Sequence, residues 1–408
     1  MSAQYQGPAP DRDAAVRVLY SFGHPMGRSG IGTTALQQVR GLAAAGARVT
    51  VVCTSLEAAL PPNVTVIETM RAAGRRIPHR VVGAGRAAAY HDWRAARLVT
   101  ALRDDLDVVH VWPGCTLRTA RAARLAAVRC LREVPNTHTA HAFAEAAKES
   151  EVTGVAPARG YSHAFDPDRL RQEEAEYAAV DYLLVPAEHV RATFLDRGYE
   201  PARLLLHQYG YDPERFGPPV PDRRGDGPLT AVFVGRGEPR KGLHYALEAW
   251  LASTASRDGL LLICGDFVPG YRERLQPMLD HASVEVRGFV PDIAEVMRRS
   301  DVLLFPSVEE GSALVSYEAQ ACGCIPLVST EVGARCVDGE QGLVHRPRDV
   351  ATLTQHLDLL HAEPALRADI RRRVIAHAPE LTWTAAGRVL LGRYQQVVDL
   401  TRKGDAVA

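Results

Sequence analysis

The chain has 408 residues, 46% hydrophobic and 24% charged, with 48 basic and 48 acidic side chains. That length suggests two or three globular domains, and a formal charge of zero gives no global electrostatic case for a nucleic-acid partner. No apolar run approaches the ~20 residues needed to span a bilayer, and seven cysteines without paired spacing argue for a reducing, cytoplasmic setting over a disulfide framework.

Residues 1–15 read as a polar tail without an apolar signal segment. Short β-branched runs then alternate with longer helical patterns. The expected strands are 16–22, 48–54, 64–69, 107–112, 181–186 and 203–208, then 229–235, 259–265, 284–289, 301–307 and 324–330. Helical stretches include 33–46 and 242–254. This alternation predicts α/β architecture with two doubly wound parallel sheets. The stretch 212–228 is rich in proline and glycine and reads as a linker. The expected domains are therefore 16–215 and 229–382, joined by 216–228. A final helix, 383–408, would pack back toward the first domain. From Arg71 to Arg132 there are thirteen arginines and four acids, a local excess of +9. It reads either as a pair of solvated helices or as a patch for an anionic acceptor or a membrane surface.

The first strand leads into Gly30-Ile-Gly32-Thr-Thr-Ala35, which formally matches G-x-G-x-x-A. Such loops present bare amides to phosphate at a helix N-terminus. A nicotinamide-binding fold also needs an acid at the end of the second strand, and here that strand ends Val52-Cys53-Thr54-Ser55. The loop supports phosphate contact in general, a dinucleotide only weakly, and a plain chain turn remains open.

In the second half, Arg236 and Lys241 flank a short loop between a strand and a helix. Two cations at a strand end, the edge where open α/β sheets bind ligands, suit a diphosphate. The strand at 301–307 leads to Glu309-Glu310-Gly311. Ser312 is a candidate N-cap for a helix over Ala313–Cys322. On that helix Glu318 neighbours Leu314, Val315, Ala321 and Cys322, an apolar face, while Ser316 and Gln320 point elsewhere. A carboxylate there needs a polar partner. A ribose diol offers two hydroxyl donors; an internal arginine is the alternative. The amides of Ser312, Ala313 and Leu314 sit at the helix mouth, ready for phosphate. Cys322-Gly-Cys324 is too close-set for a zinc ligand pair and reads as core.

These residues resemble a family. Gly235-Arg236…Lys241-Gly242, then Glu310-x7-Glu318 and Gly323-x-x-Pro326, look like the retaining glycosyltransferases of family four. Further likenesses run along most of 16–400: Gly30 in the first loop, 134–139 with its histidine, 204–216, 287–307, 338–349 and Trp383. The resemblance implies two Rossmann-like domains facing across a cleft, the GT-B fold. It implies transfer of a hexose-type sugar from a nucleoside-diphosphate sugar to an acceptor hydroxyl, with retained configuration, no obligatory metal and no cofactor. His138, Glu310, Arg236 and Lys241 would form the catalytic set. Arg236 and Lys241 would hold the diphosphate, Glu318 the ribose, and the Val290 backbone the base. Glu310 and the amides of Ser312 and Ala313 would hold the transferred sugar. Gly311-Ser312-Ala313 departs from bulkier family sequences, which would widen the sugar loop. His141, Glu145 and Lys148 share one helical face and would line the acceptor side, unless that face is merely solvated. The acceptor is not readable beyond an anionic or membrane-associated molecule, reached by a cytoplasmic protein peripheral at the membrane. Same-fold alternatives are a sugar-nucleotide epimerase and a pseudo-glycosyltransferase; a non-catalytic sugar-nucleotide binder is the third.

Overall fold

The computed structural model describes residues 15–405 except 29, 73–74, 78–81, 158–160, 162 and 219–226. The strands are β1 (Arg17–Met26), β2 (Arg48–Leu56), β3 (Val64–Glu68), β4 (Arg71–Ala72), β5 (Arg75–Arg76), β6 (Val108–Val111), β7 (Arg129–Glu133), β8 (Tyr182–Val185), β9 (Leu204–Leu206), β10 (Thr230–Val234), β11 (Leu260–Cys264), β12 (Val284–Gly288), β13 (Val302–Phe305), β14 (Ile325–Ser329) and β15 (Leu343–His345). The helices are α1 (Ile31–Ala44), α2 (Ala84–Ala101), α3 (Leu117–Leu125), α4 (Thr139–Thr153), α5 (Pro167–Ala179), α6 (Glu188–Leu195), α7 (Leu243–Ala252), α8 (Tyr271–Leu279), α9 (Ile293–Arg299), α10 (Leu314–Ala321), α11 (Val350–Ala362), α12 (Pro364–His377) and α13 (Trp383–Asp405).

By contact the chain forms two compact units. One comprises residues 1–133, 171–184 and 386–408; the other comprises 134–170 and 185–385. The expected linker, 216–228, lies largely outside the described residues.

The first unit is built on a parallel sheet in the order β3-β2-β1-β6-β7-β8. Its central strands are apolar runs buried on both faces, as parallel sheets require. β7 reads Arg-Cys-Leu-Arg-Glu, and its charge hid it from a hydrophobicity pattern. Arg132 is fully buried because Glu176 (2.9 Å) and Glu173 (3.3 Å) meet its guanidinium, which also lies 4.4 Å from the Tyr177 ring centroid. The C-terminal helix contributes Tyr394, whose hydroxyl lies 2.6 Å from His110 Nδ1 within this unit.

The second unit holds a six-stranded parallel sheet in the order β12-β11-β10-β13-β14-β15. The chain winds outward from β10 in one direction and returns to lay β13 on the other side. The gap between β10 and β13 is therefore a topological switch point, where the loops leaving two adjacent strands diverge and open a crevice. The loop after β10 carries Gly235–Gly242, and the loop after β13 carries Pro306–Ala313. Gly242 joins the two. Its φ is +68°, and a Cβ there would stand 2.2 Å from the Pro306 carbonyl oxygen. Only glycine lets the two loops approach so closely.

Candidate functional site

At the switch point, five charged side chains form one buried network. Glu310 leaves β13 and receives Lys241 Nζ at 2.6 Å and Arg240 Nη1 at 3.2 Å. Arg240 also bonds the Glu309 carbonyl, lies 3.3 Å from the Glu309 carboxylate, and donates to Glu238 Oε1 at 2.8 Å. Burial alone would raise the pKa of Glu310. The Arg240 and Lys241 charges outweigh it and hold the carboxyl at about 2. Glu310 is thus a fixed carboxylate, suited to accept hydrogen bonds and not to exchange protons near neutrality.

Glu309 is fully buried and turns toward residues 136–163. It accepts from Thr137 Oγ1 at 2.6 Å and from Asn136 Nδ2 at 3.3 Å, with His163 Nε2 at 3.5 Å. Burial, helped by the Arg240 charge, lowers His163 to about 3, so this ring is neutral. Tyr161 donates its hydroxyl to Glu238. The turn that permits this runs through Gly311, where a Cβ would lie 2.0 Å from the Pro135 carbonyl oxygen. The expectation that Gly311-Ser312-Ala313 widens the sugar loop is corrected here: Pro135 and Asn136 fill the space at Gly311.

The helix after the turn also departs from expectation. α10 starts at Leu314 with Ala313 as its N-cap, and the Ser312 hydroxyl bonds Tyr317 and the Gly333 carbonyl instead of capping. The Ala313 N–H donates to the Val332 carbonyl at 3.0 Å, so it does not serve a ligand, whereas the Leu314 amide meets no acceptor among the described residues. The helix is rotated relative to the predicted apolar face. Ser316 and Gln320 are fully buried, their side chains bonded to the carbonyls of Ala313 and Ser316. Leu314, Val315 and Glu318 lie on the half-buried side. Glu318 has no ion-pair or hydrogen-bond partner for its carboxylate among the described residues. Burial pushes it up to about 7, against the opposing charge of Arg215.

Arg215 also lines a cavity of about 530 Å³ at the carboxyl ends of β10, β11 and β12, together with Gly235, Arg236, Phe267, Phe289 and Val290. Phe289 is exposed. Arg236 is exposed, has no ion pair among the described residues, and sits 5.5 Å from the Tyr161 ring centroid. It also lines a second cavity of about 210 Å³ with Tyr161, His163, Glu238 and Arg240.

The structure thus brings Arg236, Lys241, Glu310 and Val290 to one sheet edge. It does not bring His138 into that network. His138 caps α4 through Nδ1, which accepts from the Ala140 N–H at 3.2 Å, and its buried ring packs on Phe194 and Tyr199. Glu145 is buried, bonded to Lys148 at 2.6 Å and Arg348 at 2.7 Å; His141 is half-buried on the same helix. Gly30 belongs to the first unit, where it precedes α1 at φ +74° with open space beyond its Cα. Sequence reasoning missed Arg240, Glu309, Glu238, Asn136, Thr137, His163 and Phe289. The adjacent acids of Glu309-Glu310 and the Arg240-Lys241 pair were the available signal for the first two.

A profile described as "Glycosyltransferase Family 4" matches residues 28–215, and one described as "Glycosyl transferases group 1" matches 228–363. The chain is 30% identical over 302 residues to a D-inositol 3-phosphate glycosyltransferase of Actinosynnema mirum, spanning 66% of this chain and 69% of that one. It is 31% identical over 291 residues to the protein so named in Saccharomonospora viridis, spanning 65% of each. Among solved structures, sucrose-phosphate synthase from Thermosynechococcus elongatus superposes with a TM-score of 0.65 at 19% identity, covering 97% of this chain and 100% of that one. Anabaena HepE, solved with UDP and glucose, gives a TM-score of 0.62 at 14% identity over 93% of this chain and 100% of that one. The fold is GT-B.

Proposed function

The chain belongs to glycosyltransferase family 4, and from that premise we propose that it moves a hexose-type sugar from a nucleoside-diphosphate sugar to an acceptor hydroxyl, with retained configuration and without an obligatory metal. The observation that carries the reading is the half-buried Glu318 carboxylate, without a hydrogen-bond or ion-pair partner among the described residues, together with the Arg236-lined cavity at the carboxyl ends of β10, β11 and β12. A carboxylate raised to about 7 by burial is stabilised by any ligand that offers two hydroxyls, and the ribose of a nucleotide does so. The base would enter the cavity against Val290 and Phe289. Arg236 would meet the diphosphate. Lys241 has three N–H donors and uses one on Glu310, so it can bridge that carboxylate to a phosphate. Glu310 and the Leu314 amide would orient the transferred sugar.

In this reading the rate comes from positioning and from stabilising charge on the departing diphosphate. Glu310 stays ionised and is not the proton carrier; the leaving phosphate takes the acceptor proton. His138 would stand next to the donor sugar, at the N-terminus of α4 that it caps. The named relatives make a phosphorylated polyol the first acceptor class to try, and UDP-glucose is a reasonable first donor. The test is a thermal-shift screen over nucleotide sugars, followed by mass spectrometry of products with inositol phosphates. Stabilisation by one donor and a glycosylated product support the reading. Nucleoside diphosphate released without a glycosylated product points to epimerase chemistry and overturns it.

A further inference from the structure

The arginine-rich tract resolves into two populations. Arg71, Arg129 and Arg132 are used internally, on Glu68, Asp181 and Glu173 with Glu176. Six of the others lie on α2 and α3 of the first unit. Arg86, Arg97, Arg118, Arg121 and Arg124 are exposed and Arg94 is half-exposed; none of the six is ion-paired among the described residues. The only carboxylate on either helix is Asp92. It is buried, and it accepts from the Arg118 and Thr119 amides that open α3. The two helices therefore present unopposed positive charge.

Their exposed faces also carry large apolar groups. Arg86, Tyr90, Trp93 and Arg97 follow one another at helical spacing, so they form a single stripe along α2. Tyr90 and Trp93 are 40% and 41% exposed, and Arg97 lies 5.2 Å from the Trp93 ring centroid. On α3, Leu117 and Leu125 are 41% and 80% exposed. Arg118 Nη1 donates to the Ala89 carbonyl at 2.9 Å, which joins the two faces into one surface.

We propose that this α2–α3 face docks on the surface of an anionic lipid bilayer. Arginines supply attraction to lipid headgroups, and an aromatic pair with exposed leucines supplies interfacial insertion, a combination that a bare polyanion does not use. The surface is independent of the donor site, so its failure and that of the proposed function are distinguishable.

Trp93 makes the test specific. The other three tryptophans, Trp112, Trp250 and Trp383, are buried, so a spectral change on binding reports Trp93. The full chain is mixed with vesicles of phosphatidylcholine alone, or of phosphatidylcholine and phosphatidylglycerol in equal parts. The proposal expects co-sedimentation with the anionic vesicles only, a blue shift of tryptophan emission, and release by high salt. Reversing Arg86→Glu, Arg97→Glu and Arg121→Glu together should weaken binding by at least about a hundredfold. None of these three side chains makes a hydrogen bond or ion pair among the described residues, and Arg97 meets the Trp93 ring only at the surface, so thermal unfolding should change little. Trp93→Phe should keep the sedimentation and lose the blue shift. Equal binding to both vesicles, binding unchanged by the triple reversal, or duplex DNA bound as tightly as the anionic vesicles and without a blue shift would each overturn the proposal.

Discussion

Replacing Glu318 with glutamine separates its cost to the fold from its use for a ligand. Folding moves this carboxyl from 4.5 to about 7, mainly by burial. At about 1.4 kcal/mol per pH unit, that is roughly 3 kcal/mol of destabilisation once the group is ionised in both states. The side chain is only half-buried, so screening brings the expectation to about 2 kcal/mol. The sign follows from proton uptake. Between 4.5 and about 7 the folded state holds the proton more tightly than the unfolded one, so the penalty is absent below 4.5 and complete above about 7. Glu318→Gln should therefore raise the melting temperature by about 4–8 °C at about pH 8 and leave it nearly unchanged at about pH 4.5. The same variant should bind nucleoside diphosphate about 10- to 100-fold more weakly, because a neutral amide replaces a charged acceptor. Unfolding and nucleotide titrations of both proteins at both pH values check this. A glutamine variant less stable at about pH 8, or one with undiminished nucleotide affinity, would refute the reasoning.

Arg236→Ala should leave stability within about 0.5 kcal/mol, since the side chain is exposed and has no ion pair among the described residues, while cutting transfer strongly; unfolding curves and initial rates read both. Lys241→Ala should also cut transfer strongly. It should be destabilising as well, by about 1–3 kcal/mol and not more, because Arg240 still meets Glu310. Gly311→Ala places a methyl against the Pro135 carbonyl and should cost about 1–3 kcal/mol in denaturant unfolding. His138→Ala removes the α4 cap and a buried ring, so a melting-temperature loss should accompany any loss of activity.

The strands were legible where apolar residues run unbroken. β10, β11, β13 and β14 all lie inside the stretches their patterns predict. β7 was not, because Arg132 is buried by partners on α5, forty-odd residues away in sequence. The same limit applies to the site. Arg236, Lys241, Glu310 and Glu318 could be read from strand ends and spacing. The bonds from Asn136 and Thr137 to Glu309 join residues about 170 positions apart, and no local pattern carries them. The rotation of α10 was misjudged because side-chain-to-backbone bonds let Ser316 and Gln320 sit inside. That error hid the more telling fact, that Glu318 lies on the open side of its helix.

The central claim is transfer of a sugar with its configuration kept. The most direct measurement is proton NMR of the anomeric signal of the first product formed from an α-linked UDP-sugar and a phosphorylated polyol, followed alongside UDP release. An α-linked product appearing in step with UDP is the predicted result. A β-linked product, or UDP released with only free sugar beside it, would contradict the account.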